Sequence, residues 1–278
     1  MAVSREHRRA KTDRLDTQQL IRAFLGWLRG ERNHCKMAAI PTFGEEDAKR
    51  PHRERETLVG EHTTIVNRIK ATLARLGIRN FNPKLKQAPR LEHLRTPEGE
   101  LIPPNTLAEV QRDMARKQLV AEQIQQIEKA RLEQLKQAPK AGPNLMVLLL
   151  MRVIGIGIDT ADMLVKEILS RNLRDRRAVA RYGSLTGSPD ESGSRSREKG
   201  LSRTGNARVR RVMIQLAWRF LVFQKESALA KWFRARTENA RGSRKKMIVA
   251  LARKLLIALW HFVRDGVLPE GVVLRPAN

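Results

Sequence analysis

Apolar residues recur along this chain with helical spacing. In "KTDRLDTQQLIRAFLGWLRG", Leu20, Ile21, Phe24, Leu25 and Leu28 fall on one stripe that closes at Gly30, which predicts an amphipathic helix. "ETLVGEHTTIVNRIKATLARLGI" sets Leu58, Ile65, Ile69, Leu73 and Leu76 on a second stripe. A proline- and glycine-rich break follows through "NFNPKLKQAP" and "RTPEGELIPPNT". The stretch from Leu107 to Gln137 then runs without glycine or proline and carries an imperfect heptad seam at Leu107, Val110, Met114, Ala121 and Ile124. Two such helices predict an antiparallel coiled-coil hairpin, or a plain helical pair packed on the main body.

From Ala141 the chain is denser in apolar residues and reads as an all-helical globule. "NLMVLLLMRVIGIGIDTADMLVKEIL" holds an apolar helix, a turn at Gly155 and Gly157, and a second helix, which makes a helix-hairpin-helix-like turn. Glycines in such a turn let backbone N–H groups approach a phosphate, although a purely structural turn uses them equally. "RDRRAVARYGSL" predicts a short helix, and "ARVRRVMIQLAWRFLVFQ", "SALAKWFRART" and "MIVALARKLLIALWHFV" predict three more. The expectation is a mainly α fold in three parts, residues 1–30, 31–140 and 141–278.

Charge changes this picture most. The 278 residues carry a formal net charge of +26, with a pI near 11.3. Such an excess predicts salt-sensitive binding to a polyanion, because each neutralised phosphate releases counterions. Nucleic acid fits best, ahead of a ribosome-like structural role or an anionic membrane surface. Cys35 is the sole cysteine, which excludes an intramolecular disulfide and a thiolate zinc cluster. "MAVSREHRRAKTD" lacks the apolar core of a secretory signal, and Arg253 and Lys254 interrupt the longest apolar run. The expected location is the cytoplasm, associated with the nucleoid, and no membrane partner is expected.

Between two predicted helices lies "SLTGSPDESGSRSREKGLSRTGNARVRR", from Ser184 to Arg211. Its second half gathers Arg195, Arg197, Lys199, Arg203, Arg208, Arg210 and Arg211 against one acid, Glu198. "TGN" reads as a helix start with Thr204 or Asn206 as the cap. Cations beside a helix amino terminus can cradle a phosphate, and a hydroxyl among them can attack it. A solvated loop would have the same composition, and spacing alone does not choose among Ser188, Ser192, Ser194, Ser196 and Ser202. Asp13 and Asp16, three residues apart, share one helix face and could hold a divalent cation, as they could equally face solvent.

Taken in order, "AKTDRLDTQQL", "VIGIGIDTADMLVKEI", "ARYGSLTGSPDESG", "GLSRTGNARVRRVMIQLAW", "SALAKWFRAR" and "IVALARKLLIALWHFVRDG" resemble the transposases of insertion-sequence family one-ten. These are recombinases with a RuvC-like (RNase H-like) domain bearing four carboxylates and a carboxy-terminal Tnp domain. The resemblance implies that Asp13 and Asp16 are the last two carboxylates of a magnesium site. It implies that Ser192, in a Ser-Gly step, is the nucleophile that links covalently to DNA, with Ser194 the second choice. Gly155, Gly157, Arg195, Arg197, Lys199, Arg203, Asn206, Arg208, Arg210 and Arg211 become candidate DNA contacts. Expected partners are double-stranded DNA, a structured bridge RNA that selects target and donor, and further copies of the chain as dimers or tetramers. The family's first two carboxylates precede the "KTDRLD" block on strands this chain does not contain. The expectation is therefore an amino-terminally truncated transposase whose first helix is a RuvC-like remnant and which does not cut DNA alone.

Overall fold

The computed structural model describes residues 13–31, 40–84, 90–137, 141–192, 195–202, 204–238 and 244–276, and only the backbone at positions 13–16, 188–192 and 195–199. The described residues are mainly helical. They form two compact units, 1–46 and 47–278.

The first unit contains α1 (Asp13–Leu28), which ends where Gly30 turns at φ +86°. Leu20, Phe24 and Leu28 are exposed along it, and the Phe24 and Trp27 rings stack with centroids 6.5 Å apart. A short helix, α2 (Phe43–Asp47), follows.

The second unit is built on two apolar clusters. In the smaller, α3 (Arg50–Arg75) and α4 (Pro104–Gln137) lie side by side. They run antiparallel, since Arg68 meets Asp113 near one end while Arg55 meets Glu128 near the other. Leu58, Ile65, Ile69 and Leu73 of the predicted stripe are buried, with Val110 and Val120 opposite and Leu107, Met114 and Ile124 packed alongside. Within this seam Asp113 is buried and accepts two hydrogen bonds of 2.6 Å from Arg68 and one of 2.8 Å from Arg116. The Arg68 guanidinium holds the Asp113 carboxyl below its ordinary pKa.

The larger cluster joins α5 (Gly142–Arg152), α6 (Ile158–Leu164), α7 (Arg176–Tyr182), α8 (Ala207–Phe223), α9 (Ala228–Thr237) and α10 (Arg244–Asp265). A π-helical turn, Val165–Leu169, extends α6. Nine residues of α10 are buried, so the interrupted apolar run is a core helix whose charges lie on its outer face. Among the described residues no helix is long and apolar enough to cross a membrane.

The serine-rich stretch is where the structure departs from the expected loop. It forms a two-stranded antiparallel ribbon, β1 (Gly187–Ser192) and β2 (Arg195–Leu201). Ser192 pairs with Arg195, Asp190 with Arg197, and Pro189 with Glu198. The register slips between Gly187 and Pro189, and Gly200 on the partner strand has φ +50°, as expected for a glycine-started bulge. Its dense serine and glycine content masks strand character, because propensity alone disfavours strands there.

Candidate nucleic-acid interface

The ribbon stands on a tightly made base. At the end of α7, Ser184 is buried at φ +53° and donates its hydroxyl to the Thr204 carbonyl. Asn206 N–H reaches the Tyr182 carbonyl at 2.6 Å, and Ser202 N–H reaches Thr186 at 2.9 Å. Gly205, at φ +96°, makes this closure possible: a Cβ there would stand 2.6 Å from the Arg181 carbonyl oxygen and 2.7 Å from that of Tyr182. "TGN" is therefore the clasp that returns the ribbon to the helical body.

Asn206 caps α8 as the sequence predicts, its Oδ1 accepting from the N–H groups of Arg208 at 3.0 Å and Val209 at 3.2 Å. Its Nδ2 donates to Glu167 Oε2 at 2.8 Å. Glu167 lies on the π-helical turn, 1% exposed, and also takes Nε2 of His52 and Nε of Arg53, both at 2.9 Å. Burial pushes this carboxyl's pKa up. The hydrogen bonds from His52, Arg53 and Asn206 outweigh it and hold the group well below the usual carboxylate range. Glu167 thus fastens α3 to the first turn of α8. Sequence reasoning missed it, because its partners on α3 lie more than a hundred positions away and nothing local distinguishes it from a solvated glutamate.

The candidate contacts divide. Arg208 and Arg211 both pair with Glu56 of α3 across an open cleft of about 670 Å³, so part of their charge is answered within the protein. Arg210 donates to the Ser202 carbonyl at 3.4 Å and so braces the ribbon's base. The Asn206 amide is spent on its cap and on Glu167, and its place in the fold is structural. By pairing register, positions 190, 192, 195 and 197 share one face of the ribbon, bringing the sites of Ser192, Arg195 and Arg197 together; Lys199 lies two positions beyond Arg197 on β2. Ser194 and Arg203 lie outside the described residues, as do the side chains of Ser192, Arg195, Arg197 and Lys199.

Gly155 has a packing reason to be glycine: it turns at φ +100°, and a Cβ would sit 3.2 Å from that of Phe223. The turn is also tied to the carboxy-terminal segment, with Ile154 N–H donating to the Val273 carbonyl at 3.2 Å and Gln224 Nε2 donating to the Ile154 carbonyl at 2.8 Å. Gly157, the cap of α6, faces open space in a groove of about 610 Å³ that Arg55, Arg131 and Arg219 also line. Asp159 sits in the first turn of α6 and takes Arg131 and, at 3.0 Å, Arg55, so part of the positive charge lining this groove is answered within the protein.

A third cleft, of about 960 Å³, opens at the ribbon's base between α7 and α10. Arg176, Arg177, Arg181, Arg253 and Lys254 line it, with hydroxyls from Thr186, Ser202 and Thr204. The sequence reading gave these cations no role of their own. Their signal was the clustering of "RRAVAR" and "RK" on successive turns with no acid between them.

Asp13 and Asp16 fall one turn apart on α1, with side chains outside the described residues. Two carboxylates leave most of magnesium's six-oxygen shell to other donors. Among the described residues no group of three histidine, cysteine, aspartate or glutamate side chains could complete a metal site. The described residues do not furnish a magnesium centre.

A helical protein with a large cationic excess is suited to a polyanionic partner, and comparison with known proteins narrows the class. Residues 147–233, from α5 into α9, match the family described as "Transposase IS116/IS110/IS902 family". The chain is 41% identical over 282 aligned positions to "Putative transposase y4rJ" of Sinorhizobium fredii (strain NBRC 101917 / NGR234), covering 98% of this chain and 71% of that protein. The chain belongs to this family of insertion-sequence transposases.

Proposed function

We propose that this chain acts in DNA transposition through the ribbon, with Ser192 as nucleophile. The pairing register carries this reading, because it sets position 192 directly opposite Arg195 at the ribbon's free end with position 197 on the same face. In the step proposed, Ser192 Oγ attacks a DNA phosphorus, an Oγ–P bond forms, and the bond from phosphorus to one deoxyribose oxygen breaks. The serine proton passes to solvent or to the departing oxygen. One phosphodiester replaces another, so no external energy source is needed, and the arginines offset charge building on the phosphoryl oxygens. Duplex DNA is the substrate, a structured RNA the guide, and further copies of the chain the partners in assembly. Asp13 and Asp16 are proposed as contributors to a magnesium site completed by other donors.

The test is incubation of the full chain with magnesium, guide RNA and target duplex, followed by denaturing electrophoresis for a protein–DNA adduct. An adduct formed by the unaltered chain and by Ser194→Ala, and lost in Ser192→Ala, supports Ser192 as nucleophile and overturns the expectation that the chain is inactive alone. An adduct that survives Ser192→Ala overturns the assignment. DNA binding without any adduct overturns catalysis by this chain, and leaves a basic DNA- or RNA-binding role.

A further inference from the structure

We infer that the cleft between α7 and α10 holds the backbone of the DNA strand whose phosphate the ribbon's serine attacks, several nucleotides from the reacting position. This rests on the assignment of Ser192 above. The cleft's walls are cationic: α7 contributes Arg176, Arg177 and Arg181, and α10 contributes Arg253 and Lys254. Ala180 and Ala258 lie between them, and such short side chains leave room for a phosphate to approach. On their inner faces the same helices bury Val179, Leu255, Leu256 and Leu259, so the cations are fixed to rigid core elements.

A helix surface that serves only solubility mixes both signs, with acids placed to pair at i,i+4. Here, among the described residues, no carboxylate forms an ion pair with Arg176, Arg177, Arg181, Arg253 or Lys254. His261, also in the lining, has its Nδ1 2.8 Å from Asp265, and Asp175 caps the start of α7. Lys254 rests against the Trp232 ring, 4.8 Å from its centroid. Cations held together without acids repel one another, and that cost is offset when a polyanion enters. The hydroxyls of Thr186, Ser202 and Thr204 suit phosphate oxygens as neutral donors.

Placement decides between DNA under attack and an unrelated ligand. Thr186 and Gly187 lead into β1, and Ser202 follows β2, so cleft and ribbon are continuous. Five residue steps from Gly187 to Ser192 span about 17 Å at strand rise. Duplex DNA presents a phosphate on each strand every ~3.4 Å along its axis, so a duplex lying along the ribbon would set the cleft about five nucleotides from the attacked phosphate.

The test measures binding of the full chain to a mixed-sequence DNA duplex over a range of salt concentrations. The triple variant Arg177→Gln, Arg181→Gln, Lys254→Gln is expected to bind about tenfold or more weakly, with its log–log salt slope smaller by about 3. The charge-preserving triple Arg177→Lys, Arg181→Lys, Lys254→Arg is expected to keep the slope. If the neutral triple melts early, the single variants carry the test, each lowering the slope by about 1. An unchanged slope in the neutral variants, or a change seen with structured RNA and not with DNA, overturns the inference. Ser192→Ala is expected to leave the slope intact. An adduct that still forms while the slope ignores the cleft variants sinks the cleft alone. A responsive slope without an adduct sinks the serine assignment alone.

Discussion

Replacing Glu167 tests whether α3 and α8 are fastened as described. The carboxylate is 1% exposed and takes His52, Arg53 and Asn206 within 2.9 Å. Glu167→Ala removes the acceptor shared by the half-buried Arg53 guanidinium, the buried His52 ring and the Asn206 amide. Removing one partner of a buried charge pair typically costs about 3–5 kcal/mol, a large share of the roughly 5–15 kcal/mol that holds a domain together. Glu167→Gln keeps the shape and loses the charge, and is expected to cost about 2–3 kcal/mol as charge-assisted hydrogen bonds weaken. The pH dependence follows from the depressed folded-state pKa. Above the ordinary value of 4.5 the ionised group contributes its full stabilisation, and this is lost progressively as pH falls through and below that value. Urea unfolding of the full chain at pH 7 and near pH 3 is the assay, and the gap between unaltered protein and Glu167→Gln should narrow in acid. A Glu167→Ala variant within about 1 kcal/mol of the unaltered chain at pH 7, or a gap of equal size at both pH values, would refute the reasoning.

Two further substitutions probe the ribbon's base. Gly205→Ala forces a Cβ to 2.6 Å from a carbonyl oxygen at φ +96°, and is expected to cost about 2–4 kcal/mol by thermal melting and to weaken DNA binding in parallel. Asn206→Asp keeps a good cap but sets a second carboxylate where an amide now donates to Glu167 at 2.8 Å. It should destabilise by about 2 kcal/mol at pH 7, with partial recovery in acid as one carboxyl takes a proton, and a melting temperature independent of pH would count against the contact.

Much of the helical body was legible because burial writes itself into periodicity. The stripe Leu58, Ile65, Ile69, Leu73 reappears as the α3 seam, and "MIVALARKLLIALWHFV" as the buried helix its interrupted apolar run implied. Asn206 was legible as a cap because capping is local chemistry. The ribbon was not, since its strands are polar and two-sided, without the alternation that marks a half-buried strand. Nor were Glu167 or the α7–α10 cleft, which exist only once distant turns meet. Arg208 and Arg211 were legible as cations and illegible as partners of Glu56 for the same reason. Gly155 was read both as room for a phosphate and as a structural turn, and its close approach to Phe223 supplies a reason for the second without testing the first.

The slip between Gly187 and Pro189 gives the ribbon a parity. Beyond it, each strand position is displaced by one relative to an unbroken ladder. Deleting Gly200 would restore an even ladder without changing which positions face one another at the tip, so its effect would fall on the bend and twist with which the ribbon leaves its base. One small residue, carrying no chemistry of its own, therefore aims the whole tip.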